Sequence, residues 1–223
     1  MTWIKKIIYI LSKKVTRQNL NTFIHRNIIT NNKKKTKIIN IGSGGEIEEC
    51  LKSFENIEII SIDIDSKRKP DIVADISDKN FLKKIKVKPD YVTCFEVLEH
   101  VKDPFKAVHN LFKLSTKKTV LLFSVPFIFP IHDEPNDFYR FTKYGLKLIF
   151  KNFSKVEISN RDGFIDNMFV LSARLKFSRN YILKLYALAS ILLYFVILPL
   201  IKFIQFFIKF ENITSGYLIK ARK

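Results

Sequence analysis

The sequence predicts an α/β fold: a mostly parallel sheet covered by helices on both faces. Three observations carry this expectation. Seven short apolar runs of strand length alternate with segments of helical spacing. Short apolar strands that alternate with helices suit a parallel sheet covered on both faces. The first run stops at a cluster of glycines, Gly42, Gly44 and Gly45, where a strand would turn into a helix.

Each element follows in order. Residues 2–29 read as a helix with Trp3, Ile4, Ile7, Ile8 and Leu11 on one face and Lys5, Lys6, Lys13 and Lys14 opposed to them. Such a basic amphipathic helix either lies on a membrane surface or covers one face of a sheet. Residues 1–36 are therefore taken as an N-terminal amphipathic segment, closed by the polar break at Asn31 to Lys35. Lys37 to Ile41 is the first strand, Glu46 to Phe54 a helix, Ile57 to Ile62 the second strand and Asp71 to Ala74 the third. Tyr91 to Phe95 is the fourth. Asp103 as N-cap and Pro104 at the first helical position start a helix that runs to about Leu114. Thr119 to Phe123 is the fifth strand, Thr142 caps a helix through Phe150, and Lys155 to Ser159 is the sixth strand. Gly216 to Ala221 reads as a strand again.

Residues 181–210 break this rhythm. Leu185 to Ile201 carries no charge and is bracketed by Lys184 and Lys202, at the lower edge of the length that spans a bilayer. Tyr186, Tyr194, Phe206 and Phe207 are mixed in, and Pro199 marks a bend.

Composition narrows the partners without fixing them. The 223 residues suit one α/β core with a modest appendage. The net charge of +18 points to an anionic membrane surface, a phosphorylated substrate or nucleic acid, although a chain rich in Lys, Ile, Asn and Phe together owes part of that charge to compositional bias. Cys50 and Cys94 have no metal-like spacing and suit a reduced interior. The N-terminus lacks the apolar core and cleavage site of a secretory signal, so a cytoplasmic location is expected.

Two stretches carry chemistry. In Ile41-Gly42-Ser43-Gly44-Gly45, glycines let the backbone turn tightly and approach a ligand at a helix N-terminus. Asp63 ends the second strand, where an acidic side chain can accept both ribose hydroxyls of a nucleoside cofactor. The second stretch, Pro126 to Thr142, follows the fifth strand and holds His132, Asp133, Glu134, Asp137, Tyr139 and Arg140, a set that packing alone does not require.

The segments IINIGSGG, IISIDID, DIVADISD and DYVTCFEVLEHVKDP, in that order, resemble the small class I S-adenosylmethionine-dependent methyltransferases of the type-11-like kind. The block Glu96-Val97-Leu98-Glu99-His100-Val101 is the most diagnostic piece. HDEPNDFYRFT is similar to a stretch of methyltransferases from bacterial surface-glycan gene clusters. The resemblance spans about residues 37–160 plus the final strand. It implies a Rossmann-like seven-stranded sheet with an antiparallel last strand, a methyltransferase domain over 37–223 and an apolar, membrane-associated helical insert at about 181–210.

The resemblance further implies S-adenosylmethionine as cofactor, bound by Asn40, Gly42, Ser43, Gly44, Asp63, Ile64, Asp75, Ile76, Phe95 and Glu96. Gly42 and Gly44 would line its methionine part, Asp63 its ribose, Asp75 with Ile76 its adenine edge. Asn40 departs from the usual Asp and cannot offset the charge of the cofactor's amino group. His100 is expected to fix the loop or a helix start. His132, Asp133, Tyr139 and Arg140 form the expected catalytic set, with His132 as general base, Asp133 or Asp137 orienting its ring, and Tyr139 and Arg140 holding the acceptor.

No metal is expected, because methyl transfer from a sulfonium needs no Lewis acid and the other histidines lie far from His132 in sequence. Nucleic acid is not expected as substrate either. The Pro-Pro-aromatic motif of base-amino methylation is absent after the fourth strand, where Phe95-Glu96-Val97-Leu98 stands.

The expected activity is O-methylation of a sugar hydroxyl on a lipid-linked or surface glycan. Its alternatives are a hydrophobic small-molecule acceptor such as a quinone or fatty acid, or a non-catalytic membrane adaptor on the same fold. If strands six and seven share a sheet, both ends of the insert return to it. A monotopic or peripheral placement on the cytoplasmic face then follows, with Lys184, Lys202 and Lys209 at the headgroups. A single-pass helix with a short basic tail is the competing placement.

Overall fold

The structure is a computed structural model that describes residues 17–207 and 212–223. The expected face of Trp3, Ile4, Ile7, Ile8 and Leu11, its opposed lysines, and Lys209 lie outside the described residues. Residues 17–27 form helix α1. In chain order follow β1 (Thr36–Ile41), α2 (Gly45–Lys52), β2 (Ile57–Asp63), β3 (Ile72–Val73), β4 (Tyr91–Phe95), α3 (Pro104–Leu114), β5 (Val120–Pro126), α4 (Lys143–Ile149), β6 (Lys155–Asn160), α5 (Phe164–Arg174), α6 (Tyr181–Phe207) and β7 (Gly216–Arg222).

The chain divides into two compact units. The larger comprises residues 21–126, 132–159 and 217–223 and contains the sheet. Its seven strands run in the order β3-β2-β1-β4-β5-β7-β6. Strands β1 to β5 pair in parallel, with Ile39 opposite Ile60 on one side and Val92 on the other. β7 enters antiparallel to β6: Arg161 N–H donates to Gly216 O, while Ser154 at the other end donates to Arg222 O.

Every residue of β4 and β5 is buried, which explains why these runs are apolar throughout. β5 extends to Pro126, three residues past the expected strand, because Ser124, Val125 and Pro126 are also buried. Phe123 and Phe150, both fully buried, meet edge-to-face at 4.8 Å. The helix starts are set by local chemistry. Asp103 accepts the Lys106 N–H at 2.9 Å ahead of Pro104, and Thr142 accepts the Gly145 N–H at 3.0 Å. From α1, His25 stacks on Phe54 and Phe23 meets Phe95 edge-on.

The smaller unit holds residues 127–131 and 160–216 with the described end of 1–20. Asp162 organises its chain ends, accepting from the backbone and hydroxyl of Ser215 and from Thr214 Oγ1. Burial pushes its carboxyl up, while Ser215 and Thr214 oppose that shift by bonding the charged form. Helix α5 was not expected from the sequence; its buried positions Asn167, Val170 and Ala173 include a polar residue that blurs the apolar stripe.

Helix α6 confirms the helical character of the uncharged insert. It is the one helix among the described residues long and apolar enough to cross a membrane by length and composition. Asp166 on α5 receives Tyr194 Oη at 2.9 Å and Gln205 Nε2 at 2.8 Å, which fixes one face of α6. The remainder is apolar and open, including Leu192, Leu193, Val196, Leu200, Phe203 and Phe206. Only 28% of its most apolar stretch is buried, so it is not an ordinary core helix.

Candidate active site

The strand order places a topological switch between β1 and β4, whose connections depart to opposite sides of the sheet. A crevice forms outside the carboxyl ends of strands at such a point. The two expected sites lie there, in the β1–α2 turn and in the loops after β4 and β5.

The glycine turn is built for close backbone approach. Gly42, Gly44 and Gly45 all have positive φ. A Cβ on Gly42 would stand 2.8 Å from Val97 Cγ2, so a side chain there collides with the loop after β4. At Gly44 and Gly45 a Cβ would meet nothing within 4 Å, so open space lies above them. Asp63 closes one end: its Oδ2 accepts the Ser43 N–H at 2.8 Å and its Oδ1 the Asp65 N–H at 2.9 Å. A carboxylate has about four lone-pair sites, so Asp63 retains acceptor capacity beyond these two bonds. Glu48 reaches back from α2 to accept the Gly44 N–H at 2.6 Å, and Lys52 with that N–H holds its carboxyl below the ordinary value.

The other expected cofactor residues fall around this turn. Ile64 follows Asp63 and is 68% exposed, an apolar surface left uncovered by the protein. Asp75 accepts Ser77 N–H and Oγ, both at 2.7 Å, while Asn110 of α3 pins the chain by donating to Ile76 O at 2.8 Å. Phe95 is buried at the end of β4. Glu96 has φ +55, an uncommon backbone state for a side-chain-bearing residue, and its Oε1 accepts from Ser124 Oγ at 2.8 Å.

Asn40 is placed differently from the rest. It is fully buried, donates to Gly42 O at 2.7 Å and accepts from Thr93 Oγ1 at 2.8 Å, so its amide ties β1 to β4 and to its own turn.

The loop after β5 meets the turn after β4 in a cluster of acids and histidines. Asp137, its side chain 2% exposed, takes both terminal nitrogens of Arg140 at 2.6 Å and the His132 backbone N–H at 2.9 Å. The Arg140 guanidinium holds the Asp137 carboxyl down at about 2 and is itself pushed up. Asp137 Oδ2 also lies 3.3 Å from His132 Nδ1, so Asp137, not Asp133, orients the ring. Asp133 is 74% exposed and stands 3.9 Å from His100 Nε2. Tyr139 donates its hydroxyl to Lys102 O at 2.9 Å and stacks on Phe141; Arg140 also donates to Tyr139 O at 2.8 Å. In this structure both side chains brace the loop.

Glu99 and His100 complete the cluster and were not part of the expected catalytic set. His100 does hold the loop, through Nδ1 and Asn136 O at 2.7 Å. Its other nitrogen, however, faces Glu99 Oε1 at 3.8 Å, and His132 Nε2 faces the same oxygen at 3.9 Å. The two imidazoles meet edge-to-face at 5.0 Å. The expectation of no metal rested partly on the histidines being apart in sequence, and the fold removes that separation. The signal available in the sequence was Glu96-Val97-Leu98-Glu99-His100 itself, which places two acids and a histidine on one short turn.

Comparison with known proteins decides the family. A family profile described as a methyltransferase domain matches residues 13–151, more than half of the chain. The chain belongs to this methyltransferase family. No curated protein sequence matches it significantly.

Among solved structures, the methyltransferase is similar to an S-adenosylmethionine-dependent methyltransferase from Archaeoglobus fulgidus. Identity is 18%, coverage 96% of this chain and 99% of that one, and the TM-score 0.57. Phosphoethanolamine N-methyltransferase 2 from Haemonchus contortus, bound to S-adenosylmethionine, gives 14% identity and TM-score 0.57 over 97% of this chain and 56% of its own. An O-methyltransferase of a Brevibacillus brevis trans-AT polyketide synthase, bound to S-adenosylhomocysteine, gives 13% and 0.55 over 99% of this chain and 76% of its own. At such identities the likeness establishes the Rossmann-like methyltransferase fold. The protein is an S-adenosylmethionine-dependent methyltransferase. The open positive-φ turn, the acceptor capacity of Asp63 and the exposed face of Ile64 fit that cofactor's backbone, ribose and flat base.

Proposed function

We propose that this methyltransferase O-methylates a hydroxyl of a lipid-linked or surface glycan while resting on the cytoplasmic face of a membrane. The observation that carries the reading is the loop after β5, which sets His132 on Asp137 at the carboxyl edge of the sheet. S-adenosylmethionine, when bound, supplies the electrophilic methyl group. Asp63 would hold its ribose hydroxyls, Asp75 and Ile76 its adenine edge, and Gly42, Ser43 and Gly44 its methionine part, with Ile64, Phe95 and Glu96 as neighbouring walls. Asn40 would act from behind the turn, through Gly42 O.

The protein's own work is to align the acceptor, exclude water and take up a proton. A sugar hydroxyl ionises far above neutrality, so it gains from a group that accepts its proton as the methyl transfers. In this reading His132, held by Asp137, is that group. His100 and Glu99 shape its surroundings, while Tyr139, Arg140 and Asp133 shape and border the loop.

The open apolar face of α6 supports a membrane placement. β6 and β7 are neighbours in one sheet, so the chain leaves and re-enters the same sheet around α6. That favours a helix lying in the interface over one crossing. The same apolar face gives a second reading some support, a hydrophobic acceptor taken from the bilayer.

The test uses the full chain in lipid nanodiscs with methyl-labelled cofactor and membrane extracts. Label recovered as O-methyl sugar after acid hydrolysis is the expected result; label confined to neutral lipid would overturn the glycan reading. For topology, Asn180→Cys and Asn212→Cys should react from the same side of the membrane, and reaction from opposite sides would establish a crossing.

A further inference from the structure

Glu99, His100 and His132 offer three ligand atoms, all within 4.8 Å of one another, in the turn after β4 and the loop after β5. We infer that this cluster is a divalent-cation site, taking a first-row transition ion such as Mn²⁺, Co²⁺ or Zn²⁺. The inference goes beyond the acceptor class and does not depend on it.

Three observations converge. The first is spacing. Both Nε2 atoms lie 3.8–3.9 Å from Glu99 Oε1, too far for hydrogen bonds. A point equidistant from three atoms so spaced lies roughly 2.5 Å or less from each, within a few tenths of an ångström of the ~2.0–2.2 Å bonds of nitrogen and oxygen ligands.

The second is tautomer. A backbone carbonyl only accepts, so His100 carries its proton on Nδ1, toward Asn136 O, and presents the Nε2 lone pair to the cluster. His132 Nδ1 is occupied by its neighbours, the Asp137 carboxylate at 3.3 Å and Arg140 Nη2 at 3.4 Å, which leaves Nε2 as the nitrogen that faces Glu99. Histidine ligands to metals are held in this way, one ring nitrogen on the ion and the other on a carbonyl or carboxylate.

The third is charge. Glu99 is fully buried, its carboxylate oxygens out of contact with solvent, and the Nε2 atoms of two imidazoles face one of them. Arg140 attracts Glu99 electrostatically while its terminal nitrogens bond Asp137, Tyr139 O and His132. A cation between the three atoms would meet one carboxylate oxygen and two ring nitrogens at once.

Two imidazoles and one carboxylate suit transition ions better than Mg²⁺. Three protein ligands leave positions open, as in catalytic sites, and an ion there lowers the pKa of a water or hydroxyl bound to it. With an ion bound, His132 would serve the same deprotonation as a ligand, the ion making the acceptor hydroxyl easier to ionise.

The test uses the full chain, stripped with chelator and held in detergent or nanodiscs. Mn²⁺ binding is read by loss of the free-ion electron paramagnetic signal, and Co²⁺ binding by visible ligand-field absorption. One equivalent per chain is expected. His100→Ala, His132→Ala and the isosteric Glu99→Gln should each weaken binding by more than roughly tenfold, the lower bound for disturbing even groups that merely orient a ligand. S-adenosylhomocysteine binding by calorimetry should be retained in at least the two histidine variants, showing a folded cofactor site, and the exposed His109→Ala should bind metal like the parent. No saturable binding by the parent, or binding unchanged in both histidine variants, would overturn the site. Turnover that survives chelation but is lost in His132→Gln would leave the base reading standing and remove the cation.

Discussion

Asp137→Asn is the sharpest single test of how the loop after β5 is held. The parent carboxylate sits at about 2 because it accepts both Arg140 nitrogens and the His132 N–H. Its ordinary value is 3.8. Folding therefore favours the ionised form, and at 1.36 kcal/mol per pKa unit the difference amounts to about 2 kcal/mol of stability at neutral pH. That contribution is fully present above about pH 5 and is lost as pH falls through 4 toward 2, leaving about 1 kcal/mol near pH 3. The neutral Asn lacks it at every pH. Urea unfolding of the full chain should thus show the variant less stable by about 2 kcal/mol or more at pH 7, with the gap narrowing to roughly half by pH 3. A gap that is absent at neutral pH, or constant down to pH 3, would refute the claim that this ion pair holds the loop.

Two further outcomes follow from the glycine turn. Asp63→Ala should weaken S-adenosylmethionine binding by roughly 2–3 kcal/mol by calorimetry on folded protein, and an unchanged dissociation constant would remove Asp63 from the cofactor site. Asn40→Asp, although it installs the acid usual in similar enzymes, should lower stability by about 1–3 kcal/mol because a carboxylate oxygen would then face Gly42 O with no hydrogen between them; a stability equal to the parent's in thermal unfolding would show that the bond to Gly42 carries nothing.

Local chemistry along the chain was enough to place the sheet and the turn at its edge. Strands buried on both faces must be apolar throughout, so Tyr91–Phe95 and the other central runs were visible as such. Helix starts at Asp103 and Thr142 were visible because a cap is a contact between near neighbours. The glycine turn and Asp63 were legible for the same reason, since a turn conformation and a strand end are local properties. Helix α5 escaped because its buried face includes Asn167.

Which side chains meet across the fold was legible only in three dimensions. Asn40 reads as a cofactor contact in one dimension, and in three its buried amide also ties Thr93 to Gly42 O. Asp133 and Asp137 are equivalent candidates on paper, and the fold gives the His132 ring to Asp137 because Arg140 fixes that carboxylate. Glu99 and His100 stand more than thirty residues before His132. Their convergence follows from β4 and β5 lying side by side, so that the two loops leave the same edge of the sheet. Strand order is set by long-range burial and hydrogen bonding that no local window of sequence records, and here that order brings two distant histidines together.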